Sequence, residues 1–150
     1  HGHHRRQRQM CIRDRSQTAE RLGIDNTPTS EHIVNMKLVC ENILEPVRDN
    51  YARPIAPSSG YRSVNLCEAI GSNSKSQHAL GQAVDFEVMG VDNYELAMWI
   101  SENLSFDQLI LECYKGGNTG WVHCSYRSKD ENRHQCLTYD GSKYRQGLIL

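Results

Sequence analysis

The chain has 150 residues, an apolar fraction of 38% and a formal net charge of −1, which suits one domain with a real core. Its first fifteen residues hold five of the seventeen Lys and Arg and one of the eighteen Asp and Glu, so the remainder carries a charge of about −5, a poor balance for binding nucleic acid. No apolar run is long enough to span a membrane, and no hydrophobic signal segment stands near the start, so the expectation is a protein made in the cytoplasm, without a membrane span or signal peptide.

Residues 1–24 begin His1-Gly-His-His-Arg-Arg-Gln-Arg and show no apolar period. They read as a disordered or extraneous basic leader, with a basic arm or a His-rich metal tract as the other reading. Residues 25–150 then form the one domain. From Thr29 onward the apolar residues Ile33, Val34, Met36, Leu38, Val39, Ile43 and Leu44 recur at helical spacing. They predict a helix capped by Ser30 and running to about Asp49, bent or shortened by Pro46. Tyr51 to Ser59 reads as a loop leading into a short extended piece, and Ser63 as the cap of a short helix over 64–70. Gly71 to Ser76 is a polar loop that delivers His78.

Gln82 to Val88 predicts a strand with Ala83 and Asp85 on one face and Val84 and Phe86 on the other. Asp92-Asn93 opens a second helix with Leu96, Ala97, Trp99, Ile100 and Leu104 as its buried stripe. Gln108 to Tyr114 and Trp121 to Tyr126 predict a hairpin. A symmetric turn on Gly117-Asn118 would set Glu112 directly opposite His123. Tyr139 to Tyr144 predicts another hairpin around Asp140-Gly141. The six cysteines, Cys11, Cys40, Cys67, Cys113, Cys124 and Cys136, include no Cys-x-x-Cys pair, so buried small side chains are expected rather than a disulfide framework. His32 and His134 read as surface residues.

Two segments carry the chemistry. Ser76-Gln-His78-Ala-Leu-Gly81-Gln-Ala-Val-Asp85 and Trp121-Val-His123 together offer two imidazoles and one carboxylate. That is the ligand set of a catalytic zinc site, with a fourth position left for water. Glu112 ends a strongly apolar run, Leu109-Ile110-Leu111. A carboxylate there is costly without a reason, and a general base is one. Asp107 either orients a ligand histidine or caps a turn. Together these residues point to metal-assisted hydrolysis.

The pattern Ser76-x-His78-x-x-Gly81-x-Ala83-x-Asp85 resembles the signature of the zinc D-alanyl-D-alanine carboxypeptidases and dipeptidases and of related phage cell-wall lysins. Phe106-Asp107-Gln-Leu-Ile-Leu-Glu112 followed by His123-Cys-Ser125 resembles the second half of their site. The resemblance runs roughly over residues 25–148 and extends to the hedgehog signalling domain, which shares the fold and the zinc site. It implies an α+β fold in which helices pack on one face of a small, mostly antiparallel sheet. It implies Zn2+ on His78, Asp85 and His123, zinc-bound water as nucleophile and Glu112 as base. It also implies Arg62 as a substrate and oxyanion contact and Ser76 as a substrate hydrogen-bond partner. Many relatives carry the base as Glu-x-x-His. Here that position is Gly120, and Glu112 fits the hedgehog-like arrangement, at a strand end before a loop.

The implied substrate is the stem peptide of bacterial peptidoglycan, cut by a D-Ala-D-Ala carboxypeptidase-like monomer that reaches the wall after release or delivery by another protein. An endopeptidase of L-Ala–D-Glu type in a phage endolysin is one alternative. A non-catalytic, hedgehog-like zinc-binding module is the other.

Overall fold

A computed structural model describes residues 29–59 and 77–149. The expected leader, the helix over 64–70, Cys11, Cys67, Arg62 and Ser76 lie outside the described residues. The first helical stretch has three parts: α1 (Ser30–Val39), a π turn (Cys40–Leu44) and α2 (Glu45–Tyr51). Its cap is Thr29, one residue before the expected Ser30. The Thr29 side chain accepts from the His32 N–H and satisfies one of the orphan donors of the first turn.

Pro46 does not end this helix. It sits in the first turn of α2, where a missing N–H costs little. The π turn before it lets the Glu45 N–H reach the Cys40 carbonyl, five residues back. The stretch stops at Ala52, whose left-handed backbone (φ 52°) lets its N–H bond Arg48.

The sheet contains β1 (Ile55–Ser59), β2 (Ala83–Val88), β3 (Gln108–Glu112), β4 (Trp121–Ser125), β5 (Gln135–Tyr139) and β6 (Tyr144–Gln146). Their order is β1-β2-β4-β3-β5-β6. The β3–β5 pair is parallel and the others are antiparallel. Helix α3 (Asn93–Asn103) follows β2, and its cap Asp92 accepts from the Glu95 N–H at 2.9 Å. The expected α+β architecture is the observed one.

Period-two alternation divides the sheet into two faces. Val84, Phe86, Val88, Leu109, Leu111, Val122 and Cys124 pack against Met36, Val39, Ile43 and Val47 of the first helical stretch and Leu96, Ala97 and Ile100 of α3. This face holds the core, with Phe86, Phe106, Leu109 and Leu111 wholly buried. Asp85, Ile110, Glu112, Trp121 and His123 alternate with those residues along their strands and so stand on the other face. The described helices therefore support the sheet from behind, on the face opposite the site.

Candidate metal centre

His78 lies in a 3-10 turn, Gln77–Leu80, just before β2. Gly81 closes that turn with φ +73°, and a Cβ there would meet the His32 carbonyl oxygen at 2.6 Å. Glycine is therefore required both for the left-handed backbone and for the close approach to α1. Asn35 of α1 donates to the Leu80 carbonyl at 2.8 Å, and the Gln82 N–H bonds the Gln77 carbonyl at 2.8 Å. The turn is thus pinned to the helix below it, and β2 leaves it at a fixed angle.

On the sheet, Asp85 pairs with His123, and His123 pairs with Ile110 on its other side. Asp85 and His123 are therefore direct cross-strand neighbours on one face. Asp85 Oδ1 lies 2.9 Å from His123 Nδ1 and 3.4 Å from His78 Nε2. The three residues are 3%, 8% and 9% exposed for His78, Asp85 and His123. Burial pushes the Asp85 carboxyl up, but its hydrogen bonds with the two histidines reverse this and hold it well below the usual carboxylate range. The ion-binding form is therefore the one present at neutral pH.

One donor atom from each of His78, Asp85 and His123 lies within 4.8 Å of the others. Tetrahedral ligands at about 2.0–2.1 Å from zinc stand roughly 3.3 Å apart, close to the 3.4 Å between His78 and Asp85. Two imidazoles and one carboxylate suit zinc, and three protein ligands are the number found in catalytic sites. Cysteine plays no part in the group. Cys124 is fully buried on the core face, where burial raises its thiol far above the usual range. Cys113 and Cys136 are likewise free thiols, and Cys40 is buried in the core. His134 is exposed as expected, its ring stacked on Phe106 at 4.2 Å.

Glu112 stands on the same face, but not where symmetry put it. It pairs with Trp121, and His123 faces Ile110, so the register is two residues from the expected one. An even slip keeps every side chain on its face. Glu112 becomes the diagonal neighbour of His123, about 7–8 Å away between backbones. The turn chemistry explains the slip. Cys113 turns out of the strand at φ 54°. Thr119 closes the loop on Lys115 and Gly116. The Asn93 side chain of α3 holds the Thr119 and Gly120 carbonyls at 3.0 and 3.2 Å.

The same loop explains why no base stands three residues before His123. Gly120 has φ +68°, and a Cβ there would overlap the Glu112 carbonyl oxygen and come within 2.7 Å of the Cys113 carbonyl carbon. Gly120→Ala combines left-handed strain with backbone overlap and should cost about 2–5 kcal/mol. Gly147→Ala, also at positive φ but with nothing within 4 Å, should cost only about 1 kcal/mol. Thermal unfolding of the two variants checks this; equal losses would refute the steric account of Gly120.

Two tyrosines that the sequence reading assigned only to a hairpin stand beside Glu112. Tyr139 pairs with Glu112 across β5, and Tyr144 pairs with Tyr139 across β6. Their rings stack at 4.4 Å and 10°. Although Tyr144 is exposed, partial desolvation raises its phenol above the usual range, helped by the negative charges of Glu112 and Asp85, so it stays protonated at neutral pH. Their signal in the sequence was only the Asp140-Gly141 turn of a short hairpin, which does not say which strand β5 joins. Asp107 is wholly buried and accepts from Gln77 and Arg133.

A sequence model of the family described as Peptidase M15 matches residues 11–125. No curated protein matches the chain.

Proposed function

We propose that this chain, which belongs to the peptidase M15 family, hydrolyses peptide bonds in the stem peptides of bacterial peptidoglycan. Membership makes it a zinc-dependent peptidase, and the His78, Asp85 and His123 group fits a zinc site. The observation that carries the proposal is the convergence of those three side chains on one sheet face, with Glu112 on the same face one diagonal step away. When bound, zinc supplies Lewis-acid polarisation of the scissile carbonyl and acidifies a water. His78 and His123 would hold the ion as neutral imidazoles, and Asp85 would hold it as a carboxylate.

Glu112 takes the proton from the attacking water and delivers it to the leaving amine. Its place at a strand end fixes its backbone while its side chain remains partly open to substrate. Arg62 and Ser76 are proposed to bind the substrate, the former through its planar guanidinium at the developing oxyanion. In this reading Arg62→Lys should lose roughly tenfold to a thousandfold in kcat/KM, chiefly in kcat, because lysine cannot reproduce a bidentate fork. Kinetics on a defined stem peptide check this, and unchanged kcat/KM would return Arg62 to an ordinary surface cation.

The test of the function is digestion of muropeptides by the zinc-loaded protein, read by mass spectrometry. Release of terminal D-Ala supports the carboxypeptidase reading. A cut near L-Ala–D-Glu would make the protein an endopeptidase of the lysin kind. Intact muropeptides after long incubation would overturn the substrate proposal. The proposal also places the protein at the cell wall, reached by release or by delivery through another protein. No helix among the described residues is long and apolar enough to cross a membrane.

A further inference from the structure

Asp107 is completely buried, yet it serves neither as a strand residue nor as a member of the metal group. Its carboxylate receives four donors. Arg133 gives its Nε to Oδ1 at 2.9 Å, its NH2 group to Oδ2 at 2.8 Å and its backbone N–H to Oδ1 at 3.0 Å, and Gln77 gives its side-chain amide to Oδ2 at 2.9 Å. Burial alone would raise this carboxyl; the Arg133 and Gln77 hydrogen bonds bring it below its usual range.

The backbone at this point joins the same elements. The Asp107 N–H bonds the Ser125 carbonyl at 2.8 Å, the Asp107 carbonyl accepts from Gln135 at 3.0 Å, and the Gln108 N–H bonds the Ser125 hydroxyl at 3.0 Å. Ser125 is two residues from His123, and Gln77 is the residue before His78. Asp107 thus ties the turn that carries one histidine, through its side chain to Gln77, to the strand end that carries the other, through its backbone N–H to Ser125.

We propose that Asp107, locked by the Arg133 guanidinium, is a positioning residue that holds the Gln77–Leu80 turn at the distance from β4 that His78 and His123 need to grip one ion. This rests on the reading of His78 and His123 as ligands. A charged carboxylate that is fully enclosed cannot reorient without breaking a charge-assisted pair. The fork geometry of the guanidinium fixes its plane, which a lysine would not do. Gln77 transfers that fixed plane to the turn. Outer groups of this kind set how well a preformed site fits its ion, and their loss costs about 10–100-fold in metal affinity.

The test is Zn2+ affinity, measured by competition with a chromophoric chelator well below the unfolding temperature of every variant. Gln77→Ala removes only the link to the turn and should weaken Zn2+ about tenfold or more while moving the unfolding temperature little. Asp107→Asn and Arg133→Lys should weaken Zn2+ about 10–100-fold. Ile100→Val, in the core behind the sheet, lowers the unfolding temperature and should leave Zn2+ affinity unchanged. His78→Ala separates this proposal from the reading beneath it. If His78→Ala keeps wild-type affinity, the ligand assignment fails. If His78→Ala loses Zn2+ while Gln77→Ala and Asp107→Asn bind as wild type, the positioning role is overturned. An equal loss in Ile100→Val would overturn it too, by showing that general destabilisation is enough.

Discussion

Replacing Glu112 by glutamine should leave zinc binding and the fold intact and lower kcat on a stem peptide by about 10²–10⁴-fold. Glutamine has the size of glutamate but cannot accept the proton that the attacking water must lose. Glu112 closes β3, its neighbour Cys113 turns away at φ 54°, and the Cys113 N–H is held by the Tyr139 carbonyl at 2.7 Å. The backbone that aims Glu112 therefore does not depend on its charge. Single-turnover kinetics beside a thermal melt check the prediction. Near wild-type turnover would mean that another group is the base. Loss of fold would leave Glu112→Asp as the cleaner variant, since it keeps the charge and shifts only its reach.

Adding zinc to the metal-free protein should raise its unfolding temperature by roughly 10 °C at a free zinc concentration 1,000 times Kd, because binding to the folded state alone contributes about 4 kcal/mol there and each kcal/mol moves a domain of this size by about 2–4 °C. The effect is large because the three donors sit on separate segments, the 3-10 turn, β2 and β4, and the unfolded chain does not bring them together. A chelator should abolish hydrolysis, and stoichiometric zinc should restore it. A calorimetric scan with and without zinc reads the shift; no shift would mean that the ion does not bind the folded chain.

What could be read from the sequence was local. The His78–Asp85 stretch is eight residues from turn to strand, and its marked positions have short-range reasons: Gly81 for a tight turn, Ala83 and Asp85 for one strand face. The apolar alternation of β2, β3 and β4 likewise states which face is core. Both hairpins and the second helix, with its Asp92 cap, followed from the same short-range signals.

What could not be read depended on partners distant in sequence. The β3–β4 register is set by Asn93 and Thr119 gripping the loop, so a symmetric turn misplaced Glu112 by two residues. The parallel β3–β5 pair brings Tyr139 beside Glu112 through a connection with no sequence signature. The π turn that accommodates Pro46 is invisible to a helical period. Asp107 offered two readings by itself, and only Arg133, twenty-six residues later, shows what it holds.

The central claim is that His78, Asp85 and His123 hold one zinc ion, and metal analysis of the triple alanine variant tests it most directly. His1, His3 and His4 are changed to alanine in both proteins compared, so that the histidine-rich start cannot carry the ion. The account predicts one zinc per chain with the three residues intact and none in the triple variant, both folded by circular dichroism. Full zinc retention in the triple variant would contradict it.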